Sequence, residues 1–321
     1  MKKLLTDDEI IKKFITPENM PDWDAISSYQ FLRKSFIKKY QDDVNWKNIS
    51  YFQELSESFI EKFKDKVNWH EISYCQKLSE PFIEKYKERI KWSLISQYQK
   101  LSESFIEKYK DSVDWRATAI HQKLSENFIE KYNGYIGWKY ISQYQKLSEP
   151  FIEKHKDDVD WEAISWCQKL SKSFIKKFKD KVYWYNISRY QKLSEPFIEK
   201  YKNYVDWEGI SNSQILSESF IERHTDDVNW PYISDCQELS EPFIERYKDK
   251  LDWNYITISQ KLSDNFIIKM RKYIDFQNIS SKRLTTEIVN TCYQYINKEL
   301  VQNKLANNDI LPEVKLYYLI N

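Results

Sequence analysis

Tryptophan recurs every 23 residues along most of the chain, and this fixed period constrains the fold more than any other feature. A period held without an insertion is typical of a solenoid, because an inserted residue would move one repeat out of contact with its neighbours. We number each repeat from its tryptophan as position 1 and name it by that residue. The series is Trp23, Trp46, Trp69, Trp92, Trp115, Trp138, Trp161, Trp184, Trp207, Trp230 and Trp253, with Phe276 in the next place.

The apolar positions predict two helices in each repeat. Positions 14, 15, 18 and 22, with Phe-Ile at 14 and 15, have the spacing of one helical face, and Trp, Ile and Gln at positions 1, 4 and 8 define a second, shorter face. Each repeat is therefore predicted to hold a helix of roughly ten residues and a helix of roughly eight residues, joined by tight turns.

Prolines and capping residues indicate where these helices begin. Ser at position 11 and Asp or Asn at position 23, as in Ser56 and Asn45, are good N-cap residues. The prolines of the array fall in the first turn of a predicted helix, where a missing N–H costs least. They are Pro81, Pro150, Pro196 and Pro242 at position 13 and Pro231 at position 2.

These patterns predict an all-α fold, an α-solenoid superhelix of about eleven two-helix repeats with a cap at each end. An isolated repeat buries too little apolar surface to offset its loss of chain entropy, so its neighbours must supply the remaining stability. We expect an N-terminal cap in residues 1–22, the repeat array in residues 23–275, and a C-terminal cap helix and tail in residues 276–321. The run TTEIVNTCYQYINKELVQNKLANN predicts one longer amphipathic helix in the C-terminal cap.

Composition and charge favour a cytoplasmic protein. Lys and Arg number 50 against 49 Asp and Glu, so no net charge favours nucleic acid or a membrane surface as partner. No stretch approaches the ~18 apolar residues of a membrane span, and the N-terminus lacks the apolar run of a signal peptide. Cys75, Cys167 and Cys236 share one repeat position, too far apart in a stack for a disulfide, and are interpreted as reduced, half-buried residues.

The repeat motif resembles a known class of repeat. The run L-S-E-x-F-I-E-K-[YF]-K-D-x-V-[DN]-W-x-x-I-S-x-[YC]-Q-K, as in residues 78–100 and 147–169, is similar to the short imperfect repeats of giant DNA virus proteins and of some phage and bacterial proteins. The resemblance covers about residues 20–285. It implies a repeat fold and a viral or mobile-element origin, and hence the host cytoplasm as location, and it implies no reaction.

The sequence carries no pattern typical of an enzyme or a metal site. The histidines occur singly, as His70, His121, His155 and His224, without HExxH, CxxC or a catalytic Ser-His-Asp order. Acid pairs such as Asp42-Asp43 at positions 20 and 21 are better explained by helix capping and solvation than by calcium. We therefore expect no enzyme activity, no cofactor and no bound metal.

Two polar stripes recur along the array. Gln at position 8 shares a helix face with Trp and Ile, which predicts a ladder of buried amides that bond the turns, and Ser at position 5 is interpreted in the same way. The alternative for these residues is a stripe that reads a ligand. Position 17 is Lys or Arg in every repeat from Lys39 to Lys269, a ridge that would suit a nucleic-acid backbone. The adjacent Glu at position 16 favours a solvated face of mixed charge instead.

Positions 2, 3, 6 and 7 of the shorter helix vary most among the repeats. Stacking would align them into a surface rich in Tyr, Trp, Arg and Asn, types favoured at interface hot spots and adaptable paratopes. Unconstrained drift of surface residues is the other explanation. The candidate partner-binding residues are Tyr51, Tyr74, Lys139, Tyr140, Trp166, Tyr185, Arg189, Tyr190, Tyr232 and Tyr255.

The leading hypothesis for function is a non-enzymatic repeat scaffold that mediates protein–protein interaction, with a host factor as partner if the protein is viral. One alternative is sequestration of a small charged ligand, such as a signalling nucleotide, in a groove between repeats lined by basic and aromatic groups. Another is nucleic-acid wrapping, which predicts affinity that falls steeply with salt.

Overall fold

The computed structural model describes residues 6–16, 20–29, 32–280, 283–301 and 311–320. The chain divides into two compact units, unit 1 (residues 1–160) and unit 2 (residues 161–321). In the described ranges the regular structure is helical, apart from one isolated bridge between Ile15 and Pro21. Consecutive repeats pack helix against helix within each unit, so the predicted all-α solenoid class is confirmed. No helix of the described ranges is both long enough and apolar enough to cross a bilayer.

Each repeat contains two short helices, which we call the Trp helix and the Phe helix. The Trp helices of unit 1 are Trp23–Ser28, Trp46–Phe52, Trp69–Cys75, Trp92–Tyr98, Trp115–His121 and Trp138–Tyr144. Those of unit 2 are Trp161–Cys167, Trp184–Tyr190, Trp207–Ser213, Trp230–Cys236 and Trp253–Ser259. The Phe helices of unit 1 are Lys34–Lys39, Glu57–Lys62, Glu80–Lys85, Glu103–Lys108, Glu126–Tyr132 and Glu149–Lys154. Those of unit 2 are Lys172–Lys177, Glu195–Lys200, Glu218–Arg223, Glu241–Arg246 and Asp264–Lys269.

The Phe helix is shorter than predicted, typically 6 residues instead of about ten. It ends before the aromatic residue of position 18, such as Phe63, whose φ of −110° and ψ of 26° depart from the helical values. The Phe63 carbonyl then accepts bonds from the N–H groups of Lys66 and Val67, which close a turn. The next tryptophan holds that turn, because Trp69 Nε1 donates to the Lys64 carbonyl at 2.9 Å. The predicted apolar periodicity therefore spans a helix plus a turn.

The predicted helix starts are confirmed. Ser56 accepts a bond from the Phe59 N–H, and Asn45 accepts from the Lys47 and Asn48 N–H groups. Each proline of the array occupies the first turn of its helix, as Pro81 does in Glu80–Lys85. Capping therefore supplies bond partners to N–H groups that short helices cannot satisfy internally.

The glutamine ladder is the main polar connection between repeats. Gln99 is the C-cap of its Trp helix and is only 6% exposed. Its Nε2 donates to the carbonyls of Ser73 and Gln76 at 3.3 and 2.8 Å, and its Oε1 accepts from the Leu78 N–H at 2.9 Å. All three partners belong to the preceding repeat. The same three bonds are made by Gln76, Gln122, Gln145, Gln191, Gln214, Gln237 and Gln260.

The predicted amide ladder is thereby confirmed in both units. At its N-terminal end Gln53 bonds the Leu32 N–H and the carbonyls of Ser27 and Tyr29, whereas Gln30 lies outside the described residues. At the C-terminal end Arg283 takes the place of the next glutamine and donates to the Thr257 carbonyl at 2.7 Å. A guanidinium has no acceptor atom, so Arg283 cannot accept from a leucine N–H as glutamine does.

A second set of bonds runs through the serine of position 5. Ser73 donates to the Trp69 carbonyl one turn earlier at 2.7 Å and accepts from the Lys91 N–H at 3.0 Å. Lys91 is the N-cap residue of the next Trp helix, so the hydroxyl joins two consecutive Trp helices. Ala119 stands at this position in the Trp115 repeat, and it has no hydroxyl to offer to Gly137.

The apolar core runs alongside these bonds. The isoleucines of positions 4 and 15, such as Ile72 and Ile83, are fully buried. Each tryptophan is half-buried and packs on aromatic side chains of its own repeat, as Trp69 does on Tyr86 with ring centroids 4.8 Å apart. Apolar burial, which is non-directional, therefore acts together with directional bonds that set the register of the repeats.

The chain ends depart from the repeat. Helix Asp7–Lys13 precedes the first Trp helix, and Asp7 pairs with Arg33 at 3.0 Å. The predicted single C-terminal helix is wrong, because the chain forms the helix Thr286–Cys292, a 3₁₀ turn over Tyr293–Tyr295 and the helix Lys298–Val301. Residues 302–310 of that prediction lie outside the described residues.

The last helix, Pro312–Ile320, explains the interruption of the predicted C-terminal helix. The Tyr318 hydroxyl lies 3.0 Å from the carbonyls of both Tyr293 and Ile296, so a side chain satisfies groups that a continuous helix would bond internally. Burial raises the pKa of Tyr318 to about 12, which keeps the hydroxyl protonated as a donor.

We predict that Gln99→Ala destabilises the protein by about 3 kcal/mol or more, because three buried backbone groups of the Trp69 repeat lose their partner. Gln97→Ala, two residues away at half-buried position 6, is the matched control and should change stability by less than about 0.5 kcal/mol. Urea unfolding followed by circular dichroism measures both. Equal effects of the two substitutions would contradict a structural role for the ladder.

Candidate functional site

The Trp helix presents an exposed face whose residues differ from repeat to repeat. Positions 4, 5 and 8 are buried by the neighbouring repeats, whereas positions 6 and 7 are exposed or half-buried. We call positions 6 and 7 of the Trp helices the outer face. The frame of each repeat and its displayed residues are therefore separate sets of positions.

An aromatic strip occupies the outer face of three consecutive repeats in unit 1. Tyr51, Tyr74 and Tyr98 are 43%, 36% and 46% exposed. The Tyr51 and Tyr74 ring centroids are 6.0 Å apart, and Tyr74 meets Tyr98 at 4.5 Å and 88°, an edge-to-face contact. Phe52 extends the strip at 4.7 Å from Tyr51. The candidates Tyr51 and Tyr74 thus belong to one contiguous surface, and Tyr98 is a member that the sequence interpretation left out.

Unit 2 has a second aromatic group on its outer face. Trp166 and Tyr190 are exposed with ring centroids 6.1 Å apart, so these two candidates lie together. Arg189 stacks over the Tyr185 ring at 3.7 Å and forms ion pairs with Asp206 and Glu208 of the next repeat. The Arg189 side chain is only 12% exposed. This arginine is therefore held within the protein instead of being open to a partner.

Gly209, at position 3 of the following repeat, leaves space for the Arg189 side chain. A Cβ atom added there would lie 2.8 Å from Arg189 Cγ and 2.9 Å from its Nη1, closer than side-chain atoms approach. The ion pairs of Arg189 consequently depend on a residue without a side chain in the following repeat.

Position 3 contributes mainly to packing between repeats. Asn186 is buried, and its Nδ2 donates to the Glu162 carbonyl of the preceding repeat at 3.2 Å. The candidates Tyr140 and Tyr232 at this position are half-buried, and Arg116 of the preceding repeat lies 5.3 Å from the Tyr140 ring centroid. Lys139 and Tyr255 are exposed. The candidates at positions 2 and 3 therefore differ among themselves in exposure.

The basic ridge of position 17 is neutralised by the repeat before it. Lys108 bonds Glu84 of the preceding Phe helix, and equivalent pairs join Lys85 to Glu61 and Lys131 to Glu107. The bond to Lys108 lowers the pKa of Glu84, and the bond to Glu84 raises the pKa of Lys108. This ladder of ion pairs removes the free positive charge on which a nucleic-acid backbone would depend.

One pair in this ladder of unit 1 joins two positive side chains instead of a lysine and a glutamate. Position 16 of the Trp23 repeat is Lys38, which faces Lys62, and repulsion from Lys38 lowers the pKa of Lys62. Lys38 and Lys62 therefore form a pair of like charges where the neighbouring repeats hold opposite charges.

In unit 2, Glu199 pairs with a histidine, His224, instead of with the basic residue of position 17. His224 is 5% exposed, and its ring nitrogens lie 2.7 Å from Glu199 and 2.9 Å from Asp227. Arg223 instead donates to the Ser219 carbonyl of its own helix. An open groove of ≈ 600 Å³ lies beside this cluster. Its lining residues are Glu195, Pro196, Glu199, Lys202, Arg223, His224 and Asp227.

His155, the corresponding residue of unit 1, is also buried, and its Nε2 has no hydrogen-bond partner among the described residues. In the same ranges, no group of three or more His, Cys, Asp or Glu side chains is placed to hold a metal ion. Cys75 and Cys167 are half-buried as expected, whereas Cys236, at the same repeat position 7, is exposed.

Comparison with known proteins adds no assignment to this geometry. No protein-family model, curated protein or solved structure matches the chain. Its function must therefore be inferred from its own residues.

We predict that Lys38→Glu restores the missing rung and raises the pKa of Lys62. In the native protein the lowered pKa of Lys62 reduces stability while both lysines are charged, so stability recovers as the pH rises towards about 10. In the Lys38→Glu variant the sign reverses: the added stability is present at neutral pH and is lost as Lys62 deprotonates. NMR titration of the lysine side chains and urea unfolding at low salt measure both effects.

Lys47→Glu makes the same charge change on an exposed Trp-helix position and serves as the control. An unchanged Lys62 titration in Lys38→Glu, or an equal stability gain in the control, would show that the two lysines do not interact.

Proposed function

We propose that the protein is a non-enzymatic repeat scaffold that binds a protein partner through the outer face of its Trp helices. The aromatic strip of Tyr51, Tyr74 and Tyr98 is the observation that carries the proposal, because it leaves large rings in contact with solvent across three repeats. Exposed contiguous apolar surface of this kind marks interaction sites, and tyrosine is enriched at interface hot spots.

The buried positions that connect the repeats and the exposed positions of the outer face are different, and this supports the same function. Buried Ile, Gln and Ser residues connect most repeats in the same way, while the residues at positions 6 and 7 differ from repeat to repeat. A protein built this way displays different side chains on one repeated backbone, which suits recognition of an extended surface. The resemblance of the motif to viral repeats favours a host protein as the partner and the host cytoplasm as the location.

The two rival functions have weaker support. The groove beside His224 has the size of a ligand site, but the three carboxylates in its lining outnumber the two cations, Lys202 and Arg223, which disfavours the phosphates of a nucleotide. Nucleic-acid binding through position 17 is disfavoured because the glutamate of the preceding repeat pairs with that lysine.

The test compares two triple variants that remove equal numbers of exposed tyrosines. Tyr51→Ser, Tyr74→Ser and Tyr98→Ser together disrupt the strip, and we expect capture of the partner from native-host extract to fall at least about tenfold. The control replaces Tyr135, Tyr183 and Tyr204, which are 54%, 51% and 44% exposed but lie outside positions 6 and 7. Mass spectrometry of the retained proteins and circular dichroism of each variant are the measurements.

Retention of the same proteins by the strip variant, or equal loss in both folded variants, would contradict binding through the strip. Release of a nucleotide on denaturation, with no protein retained by the native chain, would favour sequestration.

A further inference from the structure

Unit 1 carries two rows of lysine that differ in their partners. The first row is position 17, where Lys85, Lys108, Lys131 and Lys154 each bond a glutamate of the preceding repeat. The second row is position 9, which follows the ladder glutamine. Its members in four consecutive repeats are Lys77, Lys100, Lys123 and Lys146. These four are exposed and form no ion pair or hydrogen bond with the part of the chain that the structure describes. We call them the free lysine row.

The free lysine row lies next to the outer face. Burial alternates after the Trp helix: Tyr98 is exposed, Gln99 is buried, Lys100 is exposed and Leu101 is buried. The backbone at Gln99 is extended, and alternate residues of an extended segment share a side. Position 9 therefore faces solvent on the same side as position 7, which holds Tyr98, His121 and Tyr144 in three of the same repeats.

Nearby carboxylates form no ion pair with this row in the described part of the chain. The glutamate three positions after three of these lysines bonds the backbone of the following repeat: Glu80 accepts from the Ser102 N–H and Glu103 accepts from the Ser125 N–H. Glu126 likewise accepts from the Ser148 N–H. The four lysines therefore lie beside exposed aromatic rings without a carboxylate bonded to them, although the whole chain is nearly neutral with 50 basic and 49 acidic residues.

We infer that the partner contributes an extended acidic segment of protein chain, whose carboxylates bind the free lysine row while its apolar side chains pack on the aromatic strip. The inference rests on the proposed function and adds the chemistry of the partner. Complementary charge of this kind sets specificity and association rate, and its contribution weakens as salt increases.

The geometry of the tyrosines favours protein over single-stranded nucleic acid. Nucleic-acid sites stack bases on open ring faces beside a basic groove. In the strip, the Tyr74 and Tyr98 rings instead contact each other at 4.5 Å and 88°, so one ring edge covers the face of its neighbour. Such a surface suits aliphatic and aromatic side chains that lie across it.

The test uses the full chain, a library of short random peptides displayed on phage, and oligothymidylate as the nucleic-acid probe. The row variant carries Lys77→Gln, Lys100→Gln, Lys123→Gln and Lys146→Gln. The control carries Lys85→Gln, Lys108→Gln, Lys131→Gln and Lys154→Gln, which remove the same charge from the same four repeats. We expect the selected peptides to be rich in Asp, Glu and apolar residues, and to lose at least about tenfold in affinity for the row variant but less than about threefold for the control.

Each other outcome overturns the inference in a distinguishable way. Selected peptides that are not acidic, but that need Tyr51, Tyr74 and Tyr98, would refute the acidic partner and leave the scaffold function intact. Equal losses of peptide affinity in the two lysine variants would show that net charge, and not the free lysine row, determines binding. Oligothymidylate that binds more tightly than any selected peptide, through the same row, would replace protein with nucleic acid. Failure to select any peptide would count against both proposals.

Discussion

The structure depends on a match between one side chain and three backbone groups. A glutamine amide offers two donor hydrogens and an acceptor oxygen, and the C-terminal end of each Trp helix leaves two carbonyls and one N–H without partners in its own repeat. Gln99 satisfies all three groups at the end of the Trp69–Cys75 helix. Because each glutamine side chain completes the preceding repeat, order passes from one repeat to the next. Helices of 6 or 7 residues, too short to be stable alone, persist for this reason.

This arrangement separates what holds the protein together from what it displays. Glutamine, serine and isoleucine fill the interior, while the outer face varies freely from Tyr74 to His121 to Tyr190. Charge in unit 1 differs between two positions in the same way, because Lys85, Lys108, Lys131 and Lys154 at position 17 pair with glutamates of the preceding repeat and the free lysine row at position 9 forms no ion pair. The proposed scaffold function would account for both patterns, because paired charges between repeats would leave the exposed lysines and aromatic rings to contact a partner.

Much of the fold could be predicted from the sequence, because identical residues at a fixed spacing must occupy identical environments in a stack. The two helices, their caps, and the buried roles of Gln and Ser follow from that rule. The partners of the charged residues did not follow, since Glu84 bonds Lys108, 24 residues away, and not its sequence neighbour Lys85. Such pairs depend on the displacement between adjacent repeats, which the period alone does not specify.

The prediction of one continuous C-terminal helix is wrong because Tyr318 bonds the chain at Tyr293 and Ile296 from outside that segment. The regular spacing of the free lysine row is visible in the sequence. Only the structure shows that the lysines of position 17 are paired with glutamates and those of the free lysine row are not.

Helicity as a function of the number of repeats tests most directly whether order is shared between neighbours. Fragments of one, two, three and five consecutive repeats, all beginning at Trp46, can be compared by far-ultraviolet circular dichroism at equal residue concentration. Shared order predicts no helix in one repeat, weak helix in two, and a helical signal per residue that rises with each added repeat while unfolding becomes more cooperative. A single repeat with the full helical signal per residue, and a melting temperature that does not change with length, would contradict it.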